Sequence, residues 1–600
     1  MRTRQVLSLF VLALLLSKTV TASDEATLSD APYGLWIYAR DTRVRDHVLT
    51  VAFAEGRWHA ALDGRSVGIR REDSELVIDG PDGESFFGAV PVANAPILGY
   101  WKQPSDAFAY SDVVTRTVLA TTSSGHWQGE VSPQPRPFVV FLDVFQNAEG
   151  RPEAVLRNPE RNEIVAARFN VKSEGQNAWL LIAGRGDGER RVRLTRNGLA
   201  SLELSHPFFN APISLRPATR DESTRYLPRP RQMAPYRRSP PAQTDDGWRV
   251  IKTESAGFDG KKLDHLVNML AAEDPRRARP RLVHSMLVAH RGRLLLEEYF
   301  YGYNRDTPHD TRSLAKVFGP IMIGALRHQG VHVDVDERTV SQVMMRAGLP
   351  LDDARKSQIT LGHLMSFSSG LDCEASARSQ GSEDAMWSQS AQTDFWRFTA
   401  QLPLLYEPGT RYAYCSGSIN MAAASITAAS GMALYETFDQ YVAEPLGFGT
   451  YHWNLAPNGA GYLAGGVYLR PRDILKLGAM YAAGGVWRSE RVVSTDWISD
   501  STAARIAITP QTTRLSPEVF GDNYWGGEQA YVWRRDVVKT ADQDYASFEA
   551  TGNGGQVLLV VPELELAVVF TGGNYRWGSI WGRWRNELVG GHVIPALAID

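Results

Sequence analysis

The stretch Asp310-Thr311-Arg312-Ser313-Leu314-Ala315-Lys316 decides the interpretation of the C-terminal half of this chain. Its first two residues are types that cap helices, and Gly330 follows the apolar run at a position typical of a helix end. The sequence therefore predicts a helix over Arg312–His328, with Ser313 in its first turn. Because residues three apart share one face of a helix, we expect Lys316 to reach the Ser313 hydroxyl.

A serine and a lysine in this arrangement can form a nucleophile and its base. A serine hydroxyl is a poor nucleophile until a neighbouring group takes its proton. Burial or nearby cations lower the pKa of a lysine ammonium, which would let Lys316 serve as that group. The positive end of the helix dipole would also stabilise negative charge near Ser313. Since Ser-x-x-Lys patterns arise by chance on exposed helices, the assignment depends on the segments that follow.

Two later segments supply the groups that such a nucleophile needs. Pro408–Ser416 ends in the triplet Tyr414-Cys415-Ser416, just before a helix that we expect to begin near Ile419. A phenol beside a serine–lysine pair can relay a proton to a leaving group. Ala550–Gln556 is a glycine-rich turn ahead of an apolar strand. Such a turn lets a substrate approach the backbone, where an N–H can stabilise an acyl oxyanion.

In this order the segments resemble the serine hydrolases of the class C β-lactamase and penicillin-binding type, which include esterases and 6-aminohexanoate-dimer hydrolases. The resemblance covers the chain from Gly247 to Pro595. The flanking stretches that also look similar are Ile359–Met365, Ser369–Asp372, Gly465–Asp473 and Pro562–Leu566. The resemblance implies a two-step acyl transfer that requires no cofactor and no metal.

The resemblance also implies a role for each site residue. Ser313 would be the nucleophile, and Lys316 and Tyr414 would move its proton. The backbone N–H groups of Ser313 and Asn553 would hold the oxyanion. Spacing leaves open which of Lys316 and Tyr414 is the acylation base, since the two would titrate as a coupled pair. The residues expected to contact substrate are Ser416, Gly552, Asn553 and Asn574, the last of which is equally compatible with a turn role.

Two positions depart from the family pattern. The second motif commonly ends in Asn, and Ser416 stands in that place, where its hydroxyl can still bond Lys316 but spans a shorter distance than an amide. The third motif often begins with Lys or His, and Ala550 occupies the matching position. A cation there helps to hold a substrate carboxylate. Its absence favours a small ester or amide as substrate over a β-lactam or a D-alanyl peptide.

The chain before the catalytic region has a different texture. From Pro32 to Leu215, short apolar runs alternate with Gly, Asp, Asn and Pro clusters, which predicts an all-β domain, a sandwich or barrel, over residues 23–218. Residues 219–248 are rich in proline and arginine and predict an extended linker. Residues 249–600 mix amphipathic helices with hairpins at Met286–Glu297 and Val557–Phe570. They predict an α+β domain in which an antiparallel sheet is flanked by helices and carries a helical insertion.

The N-terminus has the features of an export signal. Two arginines precede the apolar run Val6–Leu16, and small residues end at Ala22. This pattern predicts a signal peptide over residues 1–22 and a chain that is exported, periplasmic or secreted. The apolar run is too short to cross a bilayer. Export would place Cys373 and Cys415 in an oxidising compartment, where we expect a disulfide, with two separate buried thiols as the alternative.

Composition limits the classes of function. The 600 residues include 64 Lys and Arg against 67 Asp and Glu, and a net charge of −3 provides no basic field for nucleic acid. Two cysteines cannot build a four-thiolate zinc site. The expected partner is a small-molecule ester, amide or lactam, and the oligomeric state stays open. A Gly-x-Ser-x-Gly pattern at Gly64–Gly68 lacks a following helix, so we expect a hairpin turn there.

One hypothesis from another class stays open beside the enzyme. The protein would then be a sensor or binding protein of the penicillin-binding type, acylated slowly or not at all. The intact set of Ser313, Lys316 and Tyr414 favours the enzyme, because a binder has no need of all three.

Overall fold

The computed structural model describes residues 31–40, 45–106, 111–160, 167–184, 189–198, 200–229, 236–373, 379–388, 393–514, 520 and 526–598. The predicted signal peptide over residues 1–22 lies outside them. The chain divides into two compact units. One contains the described residues of 31–38, 140–157 and 167–218, and the other contains the described residues of 39–139, 158–160 and 219–598.

The first of these units is a closed β-barrel, which is built from some of the N-terminal strands. The strands of the described N-terminal region are β1 (Gly34–Arg40), β2 (His47–Ala54), β3 (Arg57–Leu62), β4 (Arg65–Val67), β5 (Ile69–Glu72), β6 (Glu75–Asp79), β7 (Ser85–Ala89), β8 (Ile97–Gln103), β9 (Val113–Ser123), β10 (His126–Val131), β11 (Phe138–Gln146), β12 (Pro152–Arg157), β13 (Ala167–Gly175), β14 (Ala178–Gly184), β15 (Glu189–Arg196), β16 (Leu202–Ser205) and β17 (Ile213–Pro217). The barrel order is β1-β11-β12-β13-β14-β15-β16-β17, and β17 pairs back onto β1. Closure leaves no unpaired edge along the barrel wall.

The described part of the second unit contains the helices and three sheets, of twelve, nine and two strands. Its later strands are β18 (Arg249–Val250), β19 (Val283–His290), β20 (Arg293–Tyr299), β21 (His309–Asp310), β22 (His452–Asn454), β23 (Val467–Leu469), β24 (Val486–Trp487), β25 (Glu490–Arg491), β26 (Ile506–Ala507), β27 (Glu528–Gln529), β28 (Arg534–Lys539), β29 (Asp544–Gly552), β30 (Gln556–Val561) and β31 (Leu566–Gly572). The α-helices are α1 (Arg220–Ser223), α2 (Gly260–Ala271), α3 (Phe318–His328), α4 (Thr339–Arg346), α5 (Leu361–Met365), α6 (Glu383–Ser388), α7 (Phe395–Ala400), α8 (Ser416–Ser430), α9 (Leu434–Phe438), α10 (Glu444–Leu446), α11 (Pro471–Ala482), α12 (Thr495–Ser501), α13 (Ile580–Arg583) and α14 (Ile594–Ala596). The 3-10 segments are Pro81–Gly83, Glu254–Ala256, Arg312–Val317, Ala354–Gln358 and Pro562–Leu564, and Asp439–Ala443 and Trp584–Val593 are π-helical.

The sheet that positions the catalytic region has the order β18-β20-β19-β31-β30-β29-β28-β27-β26. Both predicted hairpins are present in it, as the antiparallel pairs β19–β20 and β30–β31. Successive residues of a strand point to opposite faces. Leu287 and Ala289 of β19 therefore pack in the cluster that contains α3 and α8, whereas Met286 and Val288 pack in the cluster that contains α2 and the C-terminal helices. Both faces are buried, which confirms a mixed α/β C-terminal domain.

A second sheet of this unit joins N-terminal strands to the catalytic region. Its order is β4-β3-β2-β10-β9-β8-β7-β6-β5, and β9 also pairs with β22, which in turn pairs with β23. The stretch Gly64–Gly68 falls at the turn between β3 and β4 and along β4, so it is the hairpin that we predicted. The N-terminal region is therefore largely strands, but strands β2 to β10 belong to the unit that contains the catalytic region.

This organisation differs from the boundaries predicted for the N-terminal region. The described residues of the range 23–218 belong to two compact units, each with its own sheet. The sheet that contains β9 groups with the catalytic region, because β9 pairs with β22, which lies beyond the predicted boundary. The predicted linker 219–248 also differs from an extended segment. Thr219 and Glu222 form a capping box that starts α1, and Tyr226 and Trp248 are buried. Prolines prevent long helices but do not prevent packing through aromatic and arginine side chains.

Within the described residues, no helix combines the length and the apolar character needed to span a membrane.

Candidate active site

The turn that contains Ser313 is a 3-10 helix rather than the first turn of the predicted α-helix. Arg312–Val317 forms this segment and α3 continues it, ending just before Gly330 as predicted. The Thr311 side chain does not cap the helix, because its N–H and its hydroxyl donate to the Val467 carbonyl at 3.0 and 2.6 Å. Side chains three apart are eclipsed in a 3-10 helix, so the predicted meeting of Ser313 and Lys316 does not depend on which helix forms.

Asp310 holds the strained residue before the nucleophile. Arg312 has a φ of +51°, a left-handed conformation that is rare for a residue with a side chain. The Asp310 carboxylate accepts the Arg312 backbone N–H at 2.8 Å and pairs with the Arg312 guanidinium, also at 2.8 Å. These two contacts compensate the strained conformation and set the direction of the Ser313 side chain.

Lys316 contacts the nucleophile directly. Its Nζ lies 3.0 Å from Ser313 Oγ and also donates to the Ala464 carbonyl. The side chain is buried, and this burial lowers the pKa of Lys316 to about 8, while the Glu383 carboxylate acts in the opposite direction. A substantial fraction of Lys316 is therefore a neutral amine at mildly alkaline pH.

Tyr414 reaches the same pair from a distant segment. Lys316 Nζ lies 5.1 Å from the centroid of the Tyr414 ring. Burial raises the pKa of the Tyr414 phenol well above its ordinary value, and a hydrogen bond with Ser313 opposes this rise only in part. The Tyr414 ring packs against Phe367, with the ring centroids 4.9 Å apart, and Tyr414 stands two residues before the start of α8. The three predicted catalytic residues are therefore brought together.

A disulfide supports the Tyr414 segment. Cys373 and Cys415 are bonded, so the structure contains the pair that we expected and not two separate thiols. Because Cys415 is the residue next to Tyr414, the bond ties the phenol to the loop around Cys373.

Glycine packing brings the third motif against the nucleophile turn. A Cβ on Gly552 would lie 2.3 Å from the Thr311 carbonyl oxygen, so no larger residue fits there. The next residue, Asn553, lines the cavity with Ser313. In the described part of the chain, neither the Ser313 nor the Asn553 backbone N–H donates to a backbone carbonyl outside its own helix or strand. Both are available as the two oxyanion donors that the resemblance implies.

The site opens into a cavity of about 510 Å³. Its lining residues are Ser313, Lys316, Phe367, Glu383, Tyr412, Tyr414, Gln529, Val532, Arg534, Glu549, Ala550, Thr551, Asn553, Arg576, Gly578 and Trp581. Apolar and aromatic walls with a few convergent polar groups are typical of small-molecule sites. The cavity is large enough for a small acyl substrate.

Three predicted substrate contacts have other partners. The Asn574 side chain accepts the Leu282 N–H and donates to the Pro280 carbonyl, both at 2.8 Å, so it serves a turn and does not line the cavity. The Ser416 hydroxyl, which we expected to contact substrate, donates to Glu383 at 3.2 Å. The Gly552 carbonyl accepts from Trp581 Nε1 at 2.7 Å, which assigns Gly552 a packing role.

Sequence reasoning missed four charged residues of the cavity, namely Glu383, Arg534, Glu549 and Arg576. Glu383 precedes Tyr414 in a stretch without a motif, and Arg576 follows the last strand in a turn. No local pattern marks such residues, because only the folded chain brings them to Ser313.

In the described ranges, no cluster of His, Cys, Asp and Glu side chains is arranged to hold a metal ion.

Three solved structures resemble the chain at low identity. A family VIII carboxylesterase is 16% identical with a TM-score of 0.43, covering 56% of this chain and 96% of its own. A penicillin-binding protein homolog from Caulobacter crescentus is 14% identical with a TM-score of 0.40, covering 54% and 95%. EstA from Arthrobacter nitroguajacolicus Rue61a is 17% identical with a TM-score of 0.39, covering 52% and 92%. A search of curated proteins found no significant match.

A protein-family model covers the catalytic region of the chain. The beta-lactamase family model matches residues 271–572, about half of the chain. This range contains Ser313, Lys316 and Tyr414, and it spans the sheet from β19 to β31. The chain therefore belongs to the beta-lactamase family and is a serine hydrolase.

Proposed function

We propose that this hydrolase is exported and cleaves a small ester or amide through an acyl intermediate on Ser313. The observation that carries the proposal is the 3.0 Å contact between Lys316 Nζ and Ser313 Oγ at the wall of the cavity. A hydroxyl beside a buried amine of lowered pKa is an activated nucleophile.

The charge states of the two candidate bases assign them different roles. Lys316, with its pKa near 8, accepts the Ser313 proton as Oγ bonds to the substrate carbonyl carbon. In its neutral form, one N–H of Lys316 still donates to the Ala464 carbonyl while the lone pair faces Ser313. Tyr414 stays protonated near neutral pH because burial raises its pKa, and it is placed to donate to the leaving group.

The reaction then proceeds in two steps, acylation of Ser313 and hydrolysis of the acyl-enzyme. The Ser313 and Asn553 N–H groups hold the oxyanion while the bond from the carbonyl carbon to the leaving oxygen or nitrogen breaks. The leaving group departs with a proton from Tyr414, which recovers one from Lys316. Water attacks the acyl carbon in the second step, the carboxylic acid leaves, and Ser313 regains its proton.

Covalent labelling tests this proposal. The protein is incubated with chromogenic short-chain acyl esters, and intact-mass and peptide mass spectrometry locate any acyl group. We expect an adduct on Ser313 and turnover, both lost in Ser313→Ala and retained in a matched control, Ser66→Ala, which changes an exposed serine of β4. Equal turnover in wild type and Ser313→Ala would overturn the proposal. An adduct that persists without turnover would support the sensor hypothesis instead.

A second candidate substrate has a carboxylate, as β-lactams and D-alanyl peptides do. Arg534 and Arg576 line the cavity, so the cation missing at Ala550 is replaced by cations from other segments. Arg576 is exposed, and no carboxylate pairs with it in the described part of the chain. Guanidinium groups bind carboxylates in bidentate fashion. Matched esters with and without a terminal carboxylate, compared by KM, separate the two candidates.

Export is supported by the sequence alone. The pattern over residues 1–22 predicts cleavage after Ala22. The mature protein, recovered from outside the cytoplasm, is then expected to begin at Ser23, as N-terminal mass spectrometry would show. Recovery of the full-length chain from the cytoplasm would contradict export without affecting the hydrolase proposal.

A further inference from the structure

Glu383, a carboxylate of the cavity, has no part in the steps above. It is the first residue of α6, it is exposed, and it lines the cavity together with Ser313 and Lys316. Both of its oxygens are held by hydroxyl groups. Oε1 accepts from Tyr462 at 2.7 Å, and Oε2 accepts from Ser416 at 3.2 Å. Tyr462 and Ser416 are themselves buried, so two fixed donors orient an otherwise mobile side chain.

Ser416, the last residue of the second motif, has a different partner from the lysine that the family pattern implies. Ser416 stands two residues after Tyr414, at the position where the family pattern commonly has an amide that can reach the lysine. A serine hydroxyl is shorter, and here it donates its proton to Glu383. The Glu383 carboxylate, which lines the same cavity as Lys316, is therefore the group that Ser416 binds.

Other groups face Lys316 from the elements packed around it. The Ser313 hydroxyl and the Ala464 carbonyl contact its Nζ, and the Tyr414 ring lies beside it. The other titratable or charged residues that line the cavity are Glu383, Tyr412, Arg534, Glu549 and Arg576. Of these, Glu383 is the one that acts on the pKa of Lys316, and it raises it against the effect of burial. It also raises the pKa of Tyr414.

We propose that Glu383 is a positioning residue which, anchored by Ser416 and Tyr462, replaces the second-motif amide as the polar group of this side of the cavity that acts on the Lys316–Tyr414 pair. The inference rests on the proposed function, since it assigns the charge state of the base in that reaction. Through this pair, Glu383 determines the lowest pH at which the nucleophile is activated.

The expected direction follows from the charges. Activity requires neutral Lys316, so kcat/KM rises with pH through the pKa of that amine. An anion near the ammonium favours the protonated form and moves this rise to higher pH. Glu383→Gln keeps the shape but removes the charge: the amide oxygen can accept from one of the two hydroxyl groups, and the NH2 can donate to the oxygen of the other. The rise is then expected at lower pH, by on the order of half a pH unit for two charges in a water-accessible cavity.

The experiment measures kcat/KM for a neutral ester from pH 5 to 10 in four proteins. Wild type is compared with Glu383→Gln, with Tyr462→Phe, which releases one anchor, and with Asp384→Asn as the matched control. Asp384 is an exposed acid of the same helix that does not line the cavity. We expect Asp384→Asn to superimpose on wild type and Glu383→Gln to be shifted to lower pH. Tyr462→Phe is expected to shift in the same direction and less.

The outcomes separate this inference from the proposed function. Superimposable profiles of wild type and Glu383→Gln, in a variant that melts at the wild-type temperature, would overturn the role of Glu383 and leave the Ser313 mechanism intact. The same shift in Asp384→Asn would also overturn it, because a general surface charge would then explain the effect. Failure of the proposed function is visible separately, as full activity in Ser313→Ala.

Discussion

Adding one methyl group at Gly552 is expected to disable the catalytic centre without unfolding the protein. The Cβ of Gly552→Ala would lie 2.3 Å from the Thr311 carbonyl oxygen, below the 3.0 Å that Cβ contacts essentially never pass, and 3.1 Å from Arg312 Cβ. The turn cannot retreat, because Thr311 is bonded on its other side to the Val467 carbonyl. The end of β29 must therefore move by at least about 0.7 Å, which is the difference between the 2.3 Å contact with the Thr311 carbonyl oxygen and the 3.0 Å limit.

This displacement acts on the oxyanion site. Asn553 follows Gly552, so its N–H moves relative to the Ser313 N–H with which it would share the oxyanion. Misplacement of reacting groups by about 1 Å costs on the order of 100-fold in rate, and loss of one oxyanion donor costs about 100- to 1,000-fold. We expect kcat for a chromogenic ester to fall by about 100-fold in Gly552→Ala, with a smaller change in KM.

A second glycine of the same cavity provides the control. In Gly578→Ala the new Cβ has its nearest neighbour, Trp581, at 3.9 Å, which is ordinary contact. Its kcat is expected to stay within about twofold of wild type. Both variants are measured by steady-state ester hydrolysis, with thermal melting to verify folding. A folded Gly552→Ala enzyme with kcat within threefold of wild type would refute the packing argument.

Three further predictions concern the charges and the disulfide. In wild type, kcat/KM should rise with pH through a midpoint near pH 8 and level off above it, since neutral Lys316 is the active form, and Lys316→Ala should lose this dependence together with most activity; a wild-type profile that is flat from pH 6 to 9 would contradict that assignment. Arg576→Ala should raise KM for a carboxylate-bearing ester about tenfold or more and leave the neutral ester unchanged, as paired kinetics would show; equal effects on both esters would exclude carboxylate binding. Replacing Cys373 and Cys415 by Ser removes a crosslink over a separation of 42 residues and should lower the free energy of unfolding by about 4 kcal/mol in a denaturant titration, while an unchanged unfolding midpoint would contradict a stabilising role.

Short-range chemistry made much of the catalytic domain predictable. The helix that carries Lys316, its end before Gly330 and the two hairpins are determined by local periodicity, capping and turn residues. Ser313 and Lys316 meet in either kind of helix because they are three residues apart. Tyr414 required a different argument, the order of motifs along the chain, since no local pattern shows that it returns to Ser313.

The errors in the prediction concern groups whose partners are distant in sequence. Ser416 was expected to contact substrate, and its hydroxyl donates to Glu383, which belongs to another helix. Asn574 was expected near substrate, but its amide holds the chain at Pro280 and Leu282. The range 23–218 was predicted as one domain, although β9 pairs with a strand more than 300 residues later in the chain. Each depends on long-range pairing that composition and spacing do not encode.

By itself, the sequence determined the family and the meeting of Ser313 with Lys316, the predicted nucleophile and its base, because these depend on residue types at fixed short separations. Only the tertiary structure decided which charges line the cavity: Glu383 and Arg576 come from segments without a motif and meet Ser313 across the folded domain. Local chemistry is carried by spacing along one element, whereas the electrostatic surroundings of a site are the sum of residues that packing brings together.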